Sequence, residues 1–263
     1  MTIDEAVSAL EELVALAPGG AGAVRSARDG AVASLILDHP GAHNAFTASM
    51  MRDLAVEVRA LALAPPALVV VRSGTPGVFC SGGHLGQVRR TLVAPEAARR
   101  MSLGFGAALD ALAALPAVVI AVVDGPAIGG GVEVALAADL RVMTARGSFE
   151  LRQARLGVAA GWGGARRLVR LVGPGRALAL LVAAERLTPA AAAAAGLVER
   201  VVPDLDAAAA WLDALAQRPL AALLACKRQV FAANAEAETE AFLSVWGGSD
   251  HLEALGQPPV SEA

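Results

Sequence analysis

Two glycine-rich turns carry the backbone groups best suited to chemistry. One is Ser81-Gly82-Gly83-His84 and the other is Ile128-Gly129-Gly130-Gly131-Val132-Glu133. Each follows an apolar run that reads as a buried strand, residues 67–71 before the first turn and 117–123 before the second. Glycine at a strand end lets the backbone come close to a ligand and leaves N–H groups free to face a cleft. In the second turn those groups open a helix, where the macrodipole favours negative charge. One N–H from each turn, aimed at a single oxygen, would form an oxyanion hole. A Gly-Gly-Gly ahead of a helix also serves as a tight structural turn, and both readings stand at this point. Neither turn matches a phosphate-binding fingerprint, GxGxxG or GxxxxGK[ST].

Three side chains beside these turns invite a role, each with a plainer alternative. Glu133 lies three residues after Gly130, so one helical turn brings its carboxylate back over that amide; an acid in a first turn also simply complements the dipole. His84 reads as a base or as a polar loop residue. Cys80 reads as a nucleophile or as a small buried thiol.

The elements that must hold these groups can be read from composition and pattern. The chain has 263 residues, 56% hydrophobic and 18% charged, with 22 basic and 25 acidic side chains and a formal charge of −3. A mildly acidic chain without a basic run lacks the electrostatic footprint of a nucleic-acid binder. The mean hydropathy of +0.54 invites a membrane reading. The longest apolar run, however, spans only residues 111–123, contains Pro116 and is bracketed by Asp110 and Asp124, well short of the roughly 20 residues a spanning helix needs. The first residues, MTIDEAVSALEEL, are acidic where a signal peptide is basic, so a cytoplasmic protein is expected. Cys80 and Cys226 suggest no disulfide framework, and no His, Cys or carboxylate group has metal-ligand spacing. Aromatics make up 3% and tyrosine is absent, leaving Ala, Leu and Val to build the core.

Periodicity predicts a helix over 3–16, a Pro-Gly-Gly linker at 18–22, and strands at 31–37, 67–71, 117–123, 140–143 and 197–202. Thr47 is placed to cap a helix that puts Met50, Met51, Leu54 and Val58 on one face. Thr188-Pro189 starts a short alanine helix that Gly196 stops. Beyond residue 204 strand signals vanish and three helical stretches follow, near 206–217, 220–233 and 235–245. Alternating strands and helices, then helices alone, give an α/β body of residues 1–202, its first 22 forming the helix and linker, and an all-helical region over 203–263.

Taken together, these motifs resemble the crotonase (enoyl-CoA hydratase/isomerase) superfamily. The matching stretches are His39-Pro40, Asn44-Ala45-Phe46, Phe79-Cys80-Ser81-Gly82-Gly83-His84-Leu85 and Asp124-Gly125-Pro126-Ala127 running into the second glycine turn. Ala138-Asp139-Leu140-Arg141 and Gly173-Pro174-Gly175-Arg176-Ala177 continue the match. The resemblance covers nearly the whole chain from about residue 24. It implies a spiral of ββα turns with a C-terminal helical oligomerisation region, assembled as trimers that often pair into hexamers. It also implies an acyl-CoA thioester as substrate, with coenzyme A entering as part of that substrate and no separate cofactor. The thioester carbonyl would be held by the amides of Gly83 and Gly130, with Glu133 beside it. Ala45, His84, Gln153 and Trp162 fall at substrate-contacting positions, and the family commonly has aspartate where this chain has His84. Arg25 and Lys227, the only lysine, are candidates for the rim that meets the CoA polyanion.

The resemblance also narrows the reaction. Hydratases of this superfamily use two glutamates; Glu133 matches the first and Gln153 stands where the second belongs. An amide does not exchange a proton as a carboxylate does, so two-carboxylate hydration is disfavoured. Gly161-Trp162-Gly163-Gly164 and Ser244-Val245-Trp246-Gly247-Gly248 resemble a decarboxylating branch that acts on ethylmalonyl-CoA. Loss of CO2 from a malonyl-type thioester leaves an enolate, which the oxyanion hole stabilises. A single proton donor then suffices, and Glu133 is the expected one. The alternatives are a one-base enoyl-CoA hydratase or isomerase and a silent acyl-CoA-binding paralogue.

Overall fold

The computed structural model describes residues 1–256, so the end of the 203–263 region lies outside the described residues. Helix α1 (Ile3–Leu16) opens with a reciprocal capping box. Thr2 Oγ1 accepts from the Glu5 N–H at 3.2 Å, and Glu5 Oε2 accepts from the Thr2 N–H at 2.7 Å. After β1 (Ala23–Asp29), β2 (Val32–Asp38) and α2 (Ala48–Leu63), the chain runs through β3 (Leu68–Ser73) and a single turn, α3 (Leu85–Gln87). That turn continues into a π-helical segment, Val88–Leu92, and then α4 (Pro95–Ala113). Next come β4 (Val118–Val123), β5 (Pro126–Ile128), α5 (Gly130–Ala135), β6 (Leu140–Thr144), β7 (Ser148–Glu150) and α6 (Gly164–Ala183). The last strands, β8 (Arg186–Leu187) and β9 (Arg200–Val202), flank α7 (Pro189–Ala194). Beyond Val202 the described residues hold only helices, α8 (Leu205–Ala216), α9 (Leu220–Val230), α10 (Ala235–Leu243) and α11 (Ser249–Ala254).

The main sheet has the order β1-β2-β3-β4-β6-β9, antiparallel between β1 and β2 and parallel thereafter. Alternate residues of its central strands enter different cores. Val69, Val71, Val119 and Ala121 pack with residues of α1, α2 and α4, while Leu68, Val70, Ile120 and Val122 pack against Trp211, Leu212 and Leu215 of α8. Burial on both faces is why these strands read as continuous apolar runs rather than alternating ones. A second sheet, β5-β7-β8, sits beside the strand ends. Among the described residues no helix is long and apolar enough to cross a membrane.

Three local differences from the sequence reading have physical causes. The strand expected over 197–202 shortens to Arg200–Val202, because the Leu197 N–H donates to Ala192 O at the end of α7 and its carbonyl accepts from Arg141 Nε. Pro174 falls inside α6, and Gly173 adopts φ 76°, ψ 165°, which breaks the run into two helical pieces. β1 escapes detection because most of its residues are exposed on an edge strand.

Candidate active site

The first glycine turn is held from behind by Asn44. This fully buried side chain accepts from the His39 N–H (2.8 Å) and Thr75 Oγ1 (2.9 Å), and donates to Phe79 O (3.0 Å) and Ser73 Oγ (2.7 Å). Asn44 thereby clamps the loop after β2 to the loop after β3. Phe46 then pairs with the turn: its N–H donates to Gly82 O at 2.7 Å, and its carbonyl accepts from the His84 N–H at 2.9 Å. Because this bridge uses the peptide groups on either side, the Gly83 N–H faces away from it. Among the described residues that N–H has no acceptor.

The second turn meets the first directly. The Ile128 N–H donates to Cys80 O (2.9 Å) and the Gly129 N–H to Glu150 O (2.7 Å). Gly82 has φ 92°, and a Cβ there would stand 3.0 Å from Gly130 N and 2.9 Å from Ile128 O, so only glycine lets the turns touch. Gly130 is the first residue of α5, where an N–H lacks an intrahelical partner, and none is found for it among the described residues. Both glycines lie against one ring: a Cβ on Gly130 would run into Trp162, and one on Gly83 would rest 3.6 Å from it.

Trp162 is only 4% exposed and meets Phe105 and Phe46 edge-on, with centroids 4.9 and 6.0 Å apart. Its loop is organised by Glu133, itself 2% exposed. Glu133 Oε1 accepts from Gln153 Nε2 (3.1 Å) and the Gly161 N–H (3.3 Å), and Oε2 accepts from the Trp162 and Gly164 N–H groups (both 2.8 Å). Every partner is a donor. In this arrangement the Glu133 carboxylate accepts from four N–H groups and ties the Trp162 loop to α5. Gln153 sits in the 3-10 turn Arg152–Leu156, and its Oε1 is buried without a partner.

The other expected residues take structural parts. His84 Nδ1 accepts from the Gln87 N–H (3.0 Å), capping α3, and the ring stacks on His39 at 5.6 Å and 12°. In this arrangement His84 serves as a helix cap. Ala45 is buried, and its carbonyl is bonded to His39 Nδ1 at 3.0 Å. Arg25 is ion-paired with Asp38 across β1 and β2. Lys227, expected at a CoA rim, turns inward instead: its ammonium meets Asp139 (2.7 Å), Ala117 O (2.8 Å) and Leu115 O (3.0 Å). Burial pushes the Asp139 carboxyl up despite that partner. Cys80 is no nucleophile, since complete burial raises its thiol to about 12 against the lowering by the Gly82 N–H.

Sequence reasoning missed the Asn44 clamp, the Phe46–Phe105 support for Trp162, and Arg167, which donates to Trp162 O (2.6 Å) and pairs with Asp110 (2.7 Å). Burial raises Asp110, but Arg166 and Arg167 outweigh it and hold the carboxyl low. A cavity of about 970 Å³ lies elsewhere, at the start of β4 under α9. Its cations include Arg141, Arg166, Arg167, Arg170, Lys227 and Arg228.

The two turns thus bring two unpartnered N–H groups and the Trp162 ring into one region, with the fixed Glu133 carboxylate alongside. The sequence profile of the enoyl-CoA hydratase/isomerase family matches residues 27–244. An ethylmalonyl-CoA decarboxylase of Danio rerio is 32% identical over 264 positions, spanning 95% of this chain and 87% of that protein. Its Gallus gallus counterpart is 33% identical, spanning 84% and 78%. Among solved structures, an enoyl-CoA hydratase from Bacillus anthracis superposes with TM-score 0.81 at 25% identity, covering 89% of this chain and 94% of that one. One from Polaromonas sp. JS666 gives 0.80 at 26%, covering 90% and 99%. With its α/β crotonase fold and two abutting glycine turns, this chain belongs to the enoyl-CoA hydratase/isomerase family.

Proposed function

We propose that this chain is an acyl-CoA lyase that decarboxylates a small alkylmalonyl-CoA, such as ethylmalonyl- or methylmalonyl-CoA. One observation supports the reading: the N–H groups of Gly83 and Gly130 have no acceptor among the described residues, and both glycines lie against the Trp162 ring. The bond from the α-carbon to the carboxylate breaks, CO2 leaves, and the electron pair delocalises onto the thioester oxygen. Two fixed N–H donors at that oxygen act where charge appears, each contributing about 3–4 kcal/mol to the transition state. The enolate then takes one proton at the α-carbon.

Hydration makes a different demand, a group that removes a proton from water. Gln153 lacks that capacity, and Glu133 is occupied by four donors. The ring of Trp162 against both glycines leaves little room in front of the hole, which favours short acyl groups. Glu133 then serves as the post that fixes the Trp162 ring.

In this reading the acyl-CoA is the sole small-molecule partner, and the chain works as a trimer or a pair of trimers through its C-terminal helices. The purified protein, given ethylmalonyl-CoA, methylmalonyl-CoA and crotonyl-CoA in turn and followed by mass spectrometry, is expected to remove CO2 from the first two. Water addition to crotonyl-CoA with the malonyl thioesters untouched would overturn the assignment in favour of a hydratase. Binding without turnover of any of them would favour the silent paralogue.

A further inference from the structure

Among the described residues, a buried side-chain acceptor without a partner in the site is Oε1 of Gln153, a residue only 8% exposed. Its amide orientation is dictated by chemistry. Glu133 Oε1 can only accept, so the NH2 end of Gln153 must face it, at 3.1 Å. The free pole is therefore Oε1, a buried acceptor of the kind that interiors seldom leave unpaired. The Gln153 amide carbon lies 3.9 Å from where a Cβ would stand on Gly129, the residue before the free Gly130 N–H. The Gln153 amide is thus packed beside the second glycine turn.

We infer that Gln153 Oε1 holds a water molecule beside the hole, and that this water gives the α-carbon its proton once CO2 has left. The inference takes its chemistry from the decarboxylation proposed above and its geometry from Gln153. The acyl half of an alkylmalonyl thioester offers only acceptors, so Oε1 must find its donor elsewhere. A buried water needs two to four polar partners; with the Gly130 N–H committed to the thioester oxygen, Gln153 Oε1 takes one of its hydrogens and the enolate faces the other. In the proton step an O–H bond of the water breaks as the α C–H bond forms with the enolate's electron pair. The hydroxide left behind recovers a proton from solvent. Gln153 is accordingly a positioning residue: it acts through the water and fixes the face that is protonated.

Two measurements test this. Decarboxylation of ethylmalonyl-CoA in D2O yields butyryl-CoA with deuterium at C2, and the intact enzyme is expected to produce one enantiomer. Gln153→Leu is expected to form both in near-equal amounts. The readout is the enantiomer ratio of whatever product forms, so any loss of rate from removing the Gln153 donor to Glu133 does not affect it. A single enantiomer from Gln153→Leu would overturn the inference. A high-resolution crystal structure of the unaltered protein should show a water within hydrogen-bonding distance of Oε1. A dry site, or a protein N–H or pantetheine amide there instead, would overturn it without any variant. Failure to release CO2 from any alkylmalonyl-CoA defeats the decarboxylase reading and the proton step with it, whereas a dry Oε1 in an active decarboxylase defeats the water inference alone.

Discussion

The two glycines under Trp162 differ in how they would respond to a methyl group. At Gly83 a Cβ stands 3.6 Å from the ring, an ordinary contact, whereas at Gly130 it would occupy the space of the ring itself. Gly130→Ala is expected to displace Trp162 and cost about 1–3 kcal/mol through overpacking, with catalysis collapsing as the ring moves. Gly83→Ala should unfold within about 1 kcal/mol of the parent, given that Gly-to-Ala changes in unstrained positions have effects of that size. Urea melts of both variants check the contrast, and equal destabilisation would mean that the ring does not sit where the structure puts it. Glu133→Gln carries a second expectation at this scale. An amide in place of the carboxylate turns an NH2 towards at least one of four N–H groups, leaving a buried donor unpaired at about 1–3 kcal/mol. Stability and turnover should fall together; unchanged stability would refute the role of Glu133 as the post of the Trp162 loop.

At the scale of elements, Lys227 joins α9 to the approach of β4. Lys227→Met strands Asp139 along with the carbonyls of Leu115 and Ala117, and breaking such a mostly buried pair costs about 3 kcal/mol. The KM for acyl-CoA should not change, which separates this tether from a CoA contact. Glu150 on β7 gives a pH expectation. The hydrogen bonds from Arg152, at 2.7 and 2.8 Å, outweigh burial and hold its carboxyl below the ordinary 4.5. A carboxyl lowered on folding stabilises the protein above its unfolded value and loses that contribution as pH falls through the folded one. The stability gap between the parent and Glu150→Gln should therefore narrow as pH falls towards 4.5 and keep narrowing below it; a gap independent of pH would refute it. Elements with strong local signals were legible in the sequence: α1, the Thr47 cap, and the Thr188-Pro189 start of α7 with Gly196 after its end. β5, β7 and β8 were not, because strands of two or three residues show no period. The site followed the same rule. Glycine turns announce themselves locally, whereas the inward turn of Lys227 and the four donors on Glu133 come from residues far apart in the chain.

Across the whole molecule, apolar side chains remain uncovered on α6 and the C-terminal helices. Leu178 and Val182 are 62% and 64% exposed, and Phe242, Leu243 and Trp246 are also open. Single exposed residues mean little, but clusters on neighbouring helices mark association surfaces. Light scattering is expected to find a trimer or its multiple, and a monodisperse monomer at micromolar concentration would contradict the trimeric proposal. The aromatic inventory also has an optical consequence. With no tyrosine and only three tryptophans, near-ultraviolet emission comes from Trp162, Trp211 and Trp246 alone. The first of these is sealed against the oxyanion glycines, while the last is 62% exposed. An occupant arriving beneath Trp162 would therefore change the blue edge of the spectrum and leave the red edge still. Unlabelled protein thus carries its own reporter of thioester occupancy.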